Sequence, residues 1–125
     1  MANGSSGTID WQTSSRGDAA QNSNQAASSN DSQPSLAVIS GIHDISGDSS
    51  ILRVDGAQIA EGTGDKGTGN FGNYPLYIGA RDATSLFFDG NLYGLIVRGA
   101  SSDATEISDT ETYLAAKSGV TLSQF

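Results

Sequence analysis

The chain has 125 residues, 14 acidic against 6 basic side chains for a formal charge of −8, no cysteine and one histidine. That length fits one domain with one core, and the acidic surface repels nucleic-acid phosphates, so DNA and RNA are not expected partners. Without cysteine there are no disulfides, thiol nucleophiles or thiolate-held metals, and His43 alone cannot build a His-rich centre.

Sixteen glycines with an apolar fraction of 36% favour turn-rich β structure over helix. No apolar run approaches the roughly 20 residues that cross a bilayer, so membrane insertion is not expected. The N-terminus lacks the basic start and apolar core of an export signal.

Residues 1–34 are rich in Ser, Asn, Gln, Gly and Ala, with Ile9 and Trp11 as apolar anchors. They read as a flexible arm with one short strand at residues 8–11, suited to contacting a neighbouring subunit. Residues 35–125 read as the folded domain. Leu36-Ala-Val-Ile39 predicts a strand ending near Gly41, and His43 to Asp48 a loop.

Residues 51–60 carry the clearest local signal. Asp55-Gly56 is a preferred two-residue hairpin turn, because type I′ geometry needs positive φ at both positions. Pairing outward sets Val54 opposite Ala57 and Leu52 opposite Ile59 on one face, with Arg53 opposite Gln58 on the other.

Residues 62–72 form a Gly-rich loop. Leu76 and Ile78, alternating around Tyr77, predict a short strand, and Gly79 a bend. Leu92 to Val97 is apolar apart from Gly94 and predicts a central strand buried on both faces.

The chain then turns helical. Ser108-Asp-Thr-Glu111 fits a capping box, Lys117 falls in the last turn and Gly119 just beyond it, which predicts a helix near 103–118. Val120, Leu122 and Phe125 form a tail expected to dock on the sheet.

Three elements together resemble the C-terminal part of a concanavalin A-like, laminin-G-type domain. They are the Leu-Arg-Val-Asp-Gly hairpin at 52–59, the Leu76-Tyr-Ile-Gly79 strand, and Phe88-x-Gly90-x-Leu92-x-x-Leu95-x-Val97. Asn73-Tyr-Pro-Leu-Tyr-Ile-Gly79 followed by Leu92-Tyr-Gly-Leu-Ile-Val-Arg-Gly99 and a terminal helix is similar to domains of tailed bacteriophages and proteobacterial prophages. Pro34 to Asp48 also fits the strand and loop ahead of the hairpin there. The resemblance covers roughly residues 35–118.

The resemblance implies an all-β fold, a concanavalin A-like antiparallel β-sandwich (jelly roll) with a C-terminal helix. It implies a non-enzymatic virion component on the particle surface, a fibre, spike or decoration module that binds host-surface glycan or braces the particle. Its partners would be other virion subunits and copies of itself. Alternatives are a purely structural capsid or tail protein without ligand binding, and a fragment of a bacterial surface adhesin. Domains of this type usually carry several strands ahead of the hairpin. The sandwich is then either abbreviated or completed by partner chains in a homo-oligomer, which would protect an otherwise open sheet edge.

Four candidate sites follow from the residues. Asn70, Phe71, Asn73 and Tyr74, with Asp82 nearby, supply the aromatic faces, amides and carboxylate that hold sugars. Alternatively the two aromatics plug the core edge and the Asn residues make turns. Asp44, Asp48, Asp55 and Asp65 are hard oxygen donors of the class calcium takes, but they follow no EF-hand spacing. Catalysis has no support, because no carboxylate pair shares a strand face and His43 with Ser40 or Ser46 lacks an orienting partner. Arg16-Gly-Asp18 matches an integrin-binding tripeptide and is read as chance.

Overall fold

Asp55 and Gly56 set the geometry of the main sheet. The computed structural model describes residues 8–17, 24–32, 36–69, 75–100 and 102–123. In it the two turn residues have φ of 50° and 87°, both positive, as a type I′ turn requires. Strands β4 (Ser49–Val54) and β5 (Ala57–Gly62) flank this turn. Strand β3 (Ile39–Asp44) pairs with the other side of β4, giving an antiparallel sheet of order β3-β4-β5. The Asp55 carboxylate accepts from the Val38 amide at 2.8 Å, and the Asp55 amide donates to Val38 O at 2.9 Å. One turn residue thereby fixes where the chain enters β3.

The register holds near the turn and slips beyond it. Val54 faces Ala57 and Arg53 faces Gln58, as expected. A bulge between Leu52 and Arg53 then places Leu52 opposite Ala60 instead of Ile59. An extra residue on one strand displaces every later pair. Leu52 is 0% exposed and Ile59 39%, so the expectation that they form a cross-strand pair in one buried face is wrong.

The expected arm contains a hairpin. Strands β1 (Thr8–Ser15) and β2 (Asn24–Ser32) pair antiparallel, with an irregularity between Ile9 and Trp11. The short strand at 8–11 is therefore the start of a longer one. Its Ser, Thr and Gln side chains carry no apolar alternation, which is why composition read the segment as unstructured.

Alternation along β4 assigns the two faces of the main sheet. Leu52 packs with Trp11 of β1, and Ser50 Oγ meets Ser15 Oγ at 2.9 Å. On the neighbouring strand, Gly41 lies so close to Thr13 that a Cβ would collide with its hydroxyl. These contacts seat the β1–β2 hairpin on one face. Ile51 and Arg53 point the other way, toward helix α1 (Ala104–Ser118).

The helix starts earlier than the Ser108 capping box predicts. Asp103 is the N-cap: its side chain accepts from the Glu106 amide at 2.8 Å, and Glu106 accepts from the Asp103 amide at 3.1 Å. Asp103-Ala-Thr-Glu106 offers the same pattern one turn upstream, and it leaves Glu111 free for another task. Glu111 is 1% exposed and accepts from Nε and Nη2 of Arg53, at 2.8 and 3.1 Å. At the C-terminus Lys117 lies in the last turn and Gly119 closes the helix in the left-handed conformation, as expected. The tail then reaches the hairpin, where the Ser123 amide donates to Asp55 O at 2.6 Å.

Residues 75–100 differ from the prediction. Neither Leu76–Ile78 nor Leu92–Val97 forms a strand, and the side chains of both runs are exposed. The local order there is a turn at Arg81–Ser85 and the Phe88 amide donating to Gly79 O at 2.8 Å. Strand propensity expresses fit to a pleated neighbour, and here no described strand supplies one.

Candidate interaction surface

The predicted sugar site is not assembled among the described residues. Asn70, Phe71, Asn73 and Tyr74 lie outside them. Asp82 is exposed, with φ of 52°, in the Arg81–Ser85 turn.

The four candidate calcium carboxylates are each engaged in local backbone structure. Asp44 Oδ1 accepts from the Gly47 amide and the Ser46 hydroxyl, both at 2.9 Å, and these bonds hold its carboxyl below the usual range. Asp48 Oδ1 accepts from the Lys66 amide at 2.8 Å, Asp55 from Val38, and Asp65 Oδ1 from the Gly67 amide at 2.7 Å. Among the described residues no three His, Cys, Asp or Glu side chains gather as a metal would require.

A cation does sit in this region, supplied by the chain. Lys66 is 0% exposed, and its Nζ donates to Asp48 O and Gly62 O at 2.9 Å and to Gly64 O at 3.1 Å. Three carbonyls satisfy three donors, which is the condition for burying an ammonium. The Lys66 carbonyl in turn accepts from the Gly17 amide at 2.6 Å. Gly17 is thus buried and pinned, while Asp18 of the Arg16-Gly-Asp18 tripeptide lies outside the described residues.

His43 forms a polar seam between the layers. Nε2 meets Thr13 Oγ1 at 2.7 Å, and Nδ1 meets Ser50 Oγ at 3.0 Å. Burial, and then the Lys66 charge, lower its pKa from the ordinary 6.5. The His43–Ser50 pair has the spacing of a base and its hydroxyl. Ser50 is completely buried and also bonded to Ser15, which closes the pair to any substrate.

The feature that sets this molecule apart is an apolar run on its surface. Leu76, Tyr77, Ile78, Leu86, Phe87, Phe88, Leu92, Tyr93, Leu95, Ile96 and Val97 are all exposed, with Phe87 at 71% and Val97 at 68%. Residues 86–97 carry one charge, Asp89. Monomeric surfaces scatter such side chains singly and seldom string them along one segment.

Two clefts border helix α1, and Ile96 of this run lines the smaller one. One, of about 460 Å³, separates α1 from the outer face of the sheet and is lined by Ile42, Ile51, Gln58 and Ile107. The other, of about 200 Å³, lies where Ile96 and Arg98 pass between β3 and the helix residues Ile107, Thr110 and Leu114. Gly94 comes so near Leu114 that a Cβ would lie 2.9 Å from its methyl. Arg98 pins the end of the run, with Nη1 at 2.9 Å from Ser102 Oγ and 3.4 Å from Glu106 Oε2. Both clefts open to solvent and carry polar as well as apolar side chains on their walls, so the helix and the sheet are not closely packed along this line.

Sequence reasoning missed Arg53–Glu111 and Lys66. The sequence pairs Arg53 with Gln58 and sets Glu111 in the Ser108 capping box, and no local pattern links residues 58 positions apart. No protein-family model matches the chain, and neither does a curated protein or a solved structure.

Proposed function

We propose that this chain is a non-enzymatic assembly module that braces a larger particle, a virion component of a tailed bacteriophage with a lectin-like, concanavalin A-like β-sandwich. The observation that carries this reading is the exposed apolar run at 76–97, a surface made to be covered by protein. The engagement of His43 and the Asp carboxylates in structural bonds supports a role without catalysis. The motif resemblance of residues 35–118 supports the virion setting, where the partners are other virion subunits at the particle surface.

Glycan recognition by Asn70, Phe71, Asn73, Tyr74 and Asp82 is the second arm of the same proposal, resting on residue chemistry. Co-sedimentation with purified phage tails or capsids tests the first arm, and retention of the chain on the particles is expected. A glycan array tests the second, with binding that Tyr74→Ala abolishes. Silence in both assays removes the proposal.

A further inference from the structure

Two Asp-Gly steps occur in the chain, Asp55-Gly56 and Asp89-Gly90, and they stand in opposite surroundings. Such a step is open to attack by the backbone on its own side chain, because a glycine amide, with no Cβ beside it, reaches the preceding carboxyl carbon unhindered. The attack needs a carboxyl group that nothing else holds and a backbone free to turn until the nitrogen meets Cγ.

Asp55 has neither. Its carboxylate accepts from the Val38 amide at 2.8 Å, its amide donates to Val38 O at 2.9 Å, and its carbonyl accepts from the Ser123 amide at 2.6 Å. Gly56 is buried and its carbonyl accepts from Arg53 Nη2. Attack there would break the turn, so it proceeds only from chains whose hairpin has opened. Asp89 has both. It is exposed and belongs to no strand or helix. Among the described residues no ion pair or hydrogen bond engages its carboxylate, and no backbone hydrogen bond involves Asp89 or Gly90.

We propose that Asp89-Gly90 is a site of spontaneous isoaspartate formation, from which the hairpin protects Asp55-Gly56. The Gly90 nitrogen bonds to Cγ of Asp89, the carboxyl group gives up its hydroxyl and the amide its proton, and one water leaves as a succinimide ring closes. Water then adds to one of the two imide carbonyls. Opening at Cγ restores aspartate. Opening at the main-chain carbonyl leaves the chain running through Cγ, which is isoaspartate, with one more methylene in the backbone. Mass is conserved over the two steps, and neither an oxidant nor a cofactor enters. Asp89 carries the only charge of residues 86–97, so the closed ring leaves the apolar run uncharged.

The reaction asks only for exposure and chain freedom, so it proceeds whether or not phage particles retain the chain. The intact folded chain is held at neutral pH and body temperature for several weeks and then digested with trypsin. Asp89 falls in the peptide 82–98 and Asp55 in 54–66. The first is expected to split into two species of equal mass, the new one located to residue 89 by electron-transfer fragmentation. Even a modest opening cost makes conversion of Asp55 about tenfold slower. In denaturant both sites are expected to convert at similar rates. Asp89→Glu keeps the charge but disfavours ring closure by its extra carbon, and its 82–98 peptide is expected to stay single. Asp89→Asn reaches the same succinimide with loss of ammonia and is expected to convert faster than the wild type.

A wild-type 82–98 peptide that stays single, conversion of Asp55 as fast as Asp89 in the folded chain, or an Asp89→Glu chain that still splits would each overturn the proposal.

Discussion

Residues 36–66 and residues 75–100 are similar in length and both rich in apolar residues and glycine, yet one is packed and the other is open. In the first, each strand finds a neighbour within a few residues, because Asp55-Gly56 reverses the chain and Asp44 to Asp48 does so again. The second has turns at Arg81–Ser85 and Gly79 but no pairing beyond them. Apolar content alone does not make a core. A strand becomes ordered when a partner edge lies within reach, and a short loop brings it there at low entropic cost.

The largest effect that sharpens this contrast is expected at the ion pair joining helix to sheet. Glu111→Ala leaves Arg53 without its buried counter-charge and is expected to destabilise by about 3–5 kcal/mol in a denaturant melt. Replacing both partners together, with apolar residues of similar volume, should recover most of that loss. A loss below about 1 kcal/mol for Glu111→Ala would mean that the helix is not anchored there.

Next comes a matched pair of truncations. Leu52→Ala empties a buried site against Trp11 and is expected to cost about 2–5 kcal/mol. Leu76→Ala removes an exposed side chain and should stay within about 0.5 kcal/mol in dilute solution. Equal losses would erase the distinction between the two regions.

The smallest effect is a pH dependence confined to the packed region. The folded-state pKa of His43 is depressed by burial and by Lys66, so the unfolded chain takes up the proton more readily. Its contribution to stability is complete above the unfolded value of 6.5 and is lost as pH falls below it toward the lower folded value. Asp44, also depressed, acts in the same direction at lower pH, below 3.8. The melting temperature of the wild type should fall between pH 7 and 5 more than that of His43→Gln. Parallel curves would remove His43 from the explanation.

Local chemistry was legible in the residues and distant pairing was not. The Asp55-Gly56 turn, the Val54–Ala57 and Arg53–Gln58 pairs, the helix near 103–118 and its Gly119 cap each depend on residues a few positions apart. Three things were misread. The bulge beside Leu52 changes register without any glycine or proline to mark it. The β1–β2 hairpin is built from Ser, Thr and Asn, whose strand pairing shows no apolar period. Leu92 to Val97 has the composition of a central strand, and its exposure depends on what stands next to it in space. Asn70, Phe71, Asn73 and Tyr74 lie outside the described residues.

The Lys66 ammonium has a consequence for the medium in which the protein works. A dissolved cation bridging Asp48, Gly62 and Gly64 would come and go with its concentration, and dilution or a chelator would strip it. A positive group tethered to the polypeptide cannot diffuse away, so the glycine-rich turn it braces should keep its shape from fresh water to brine.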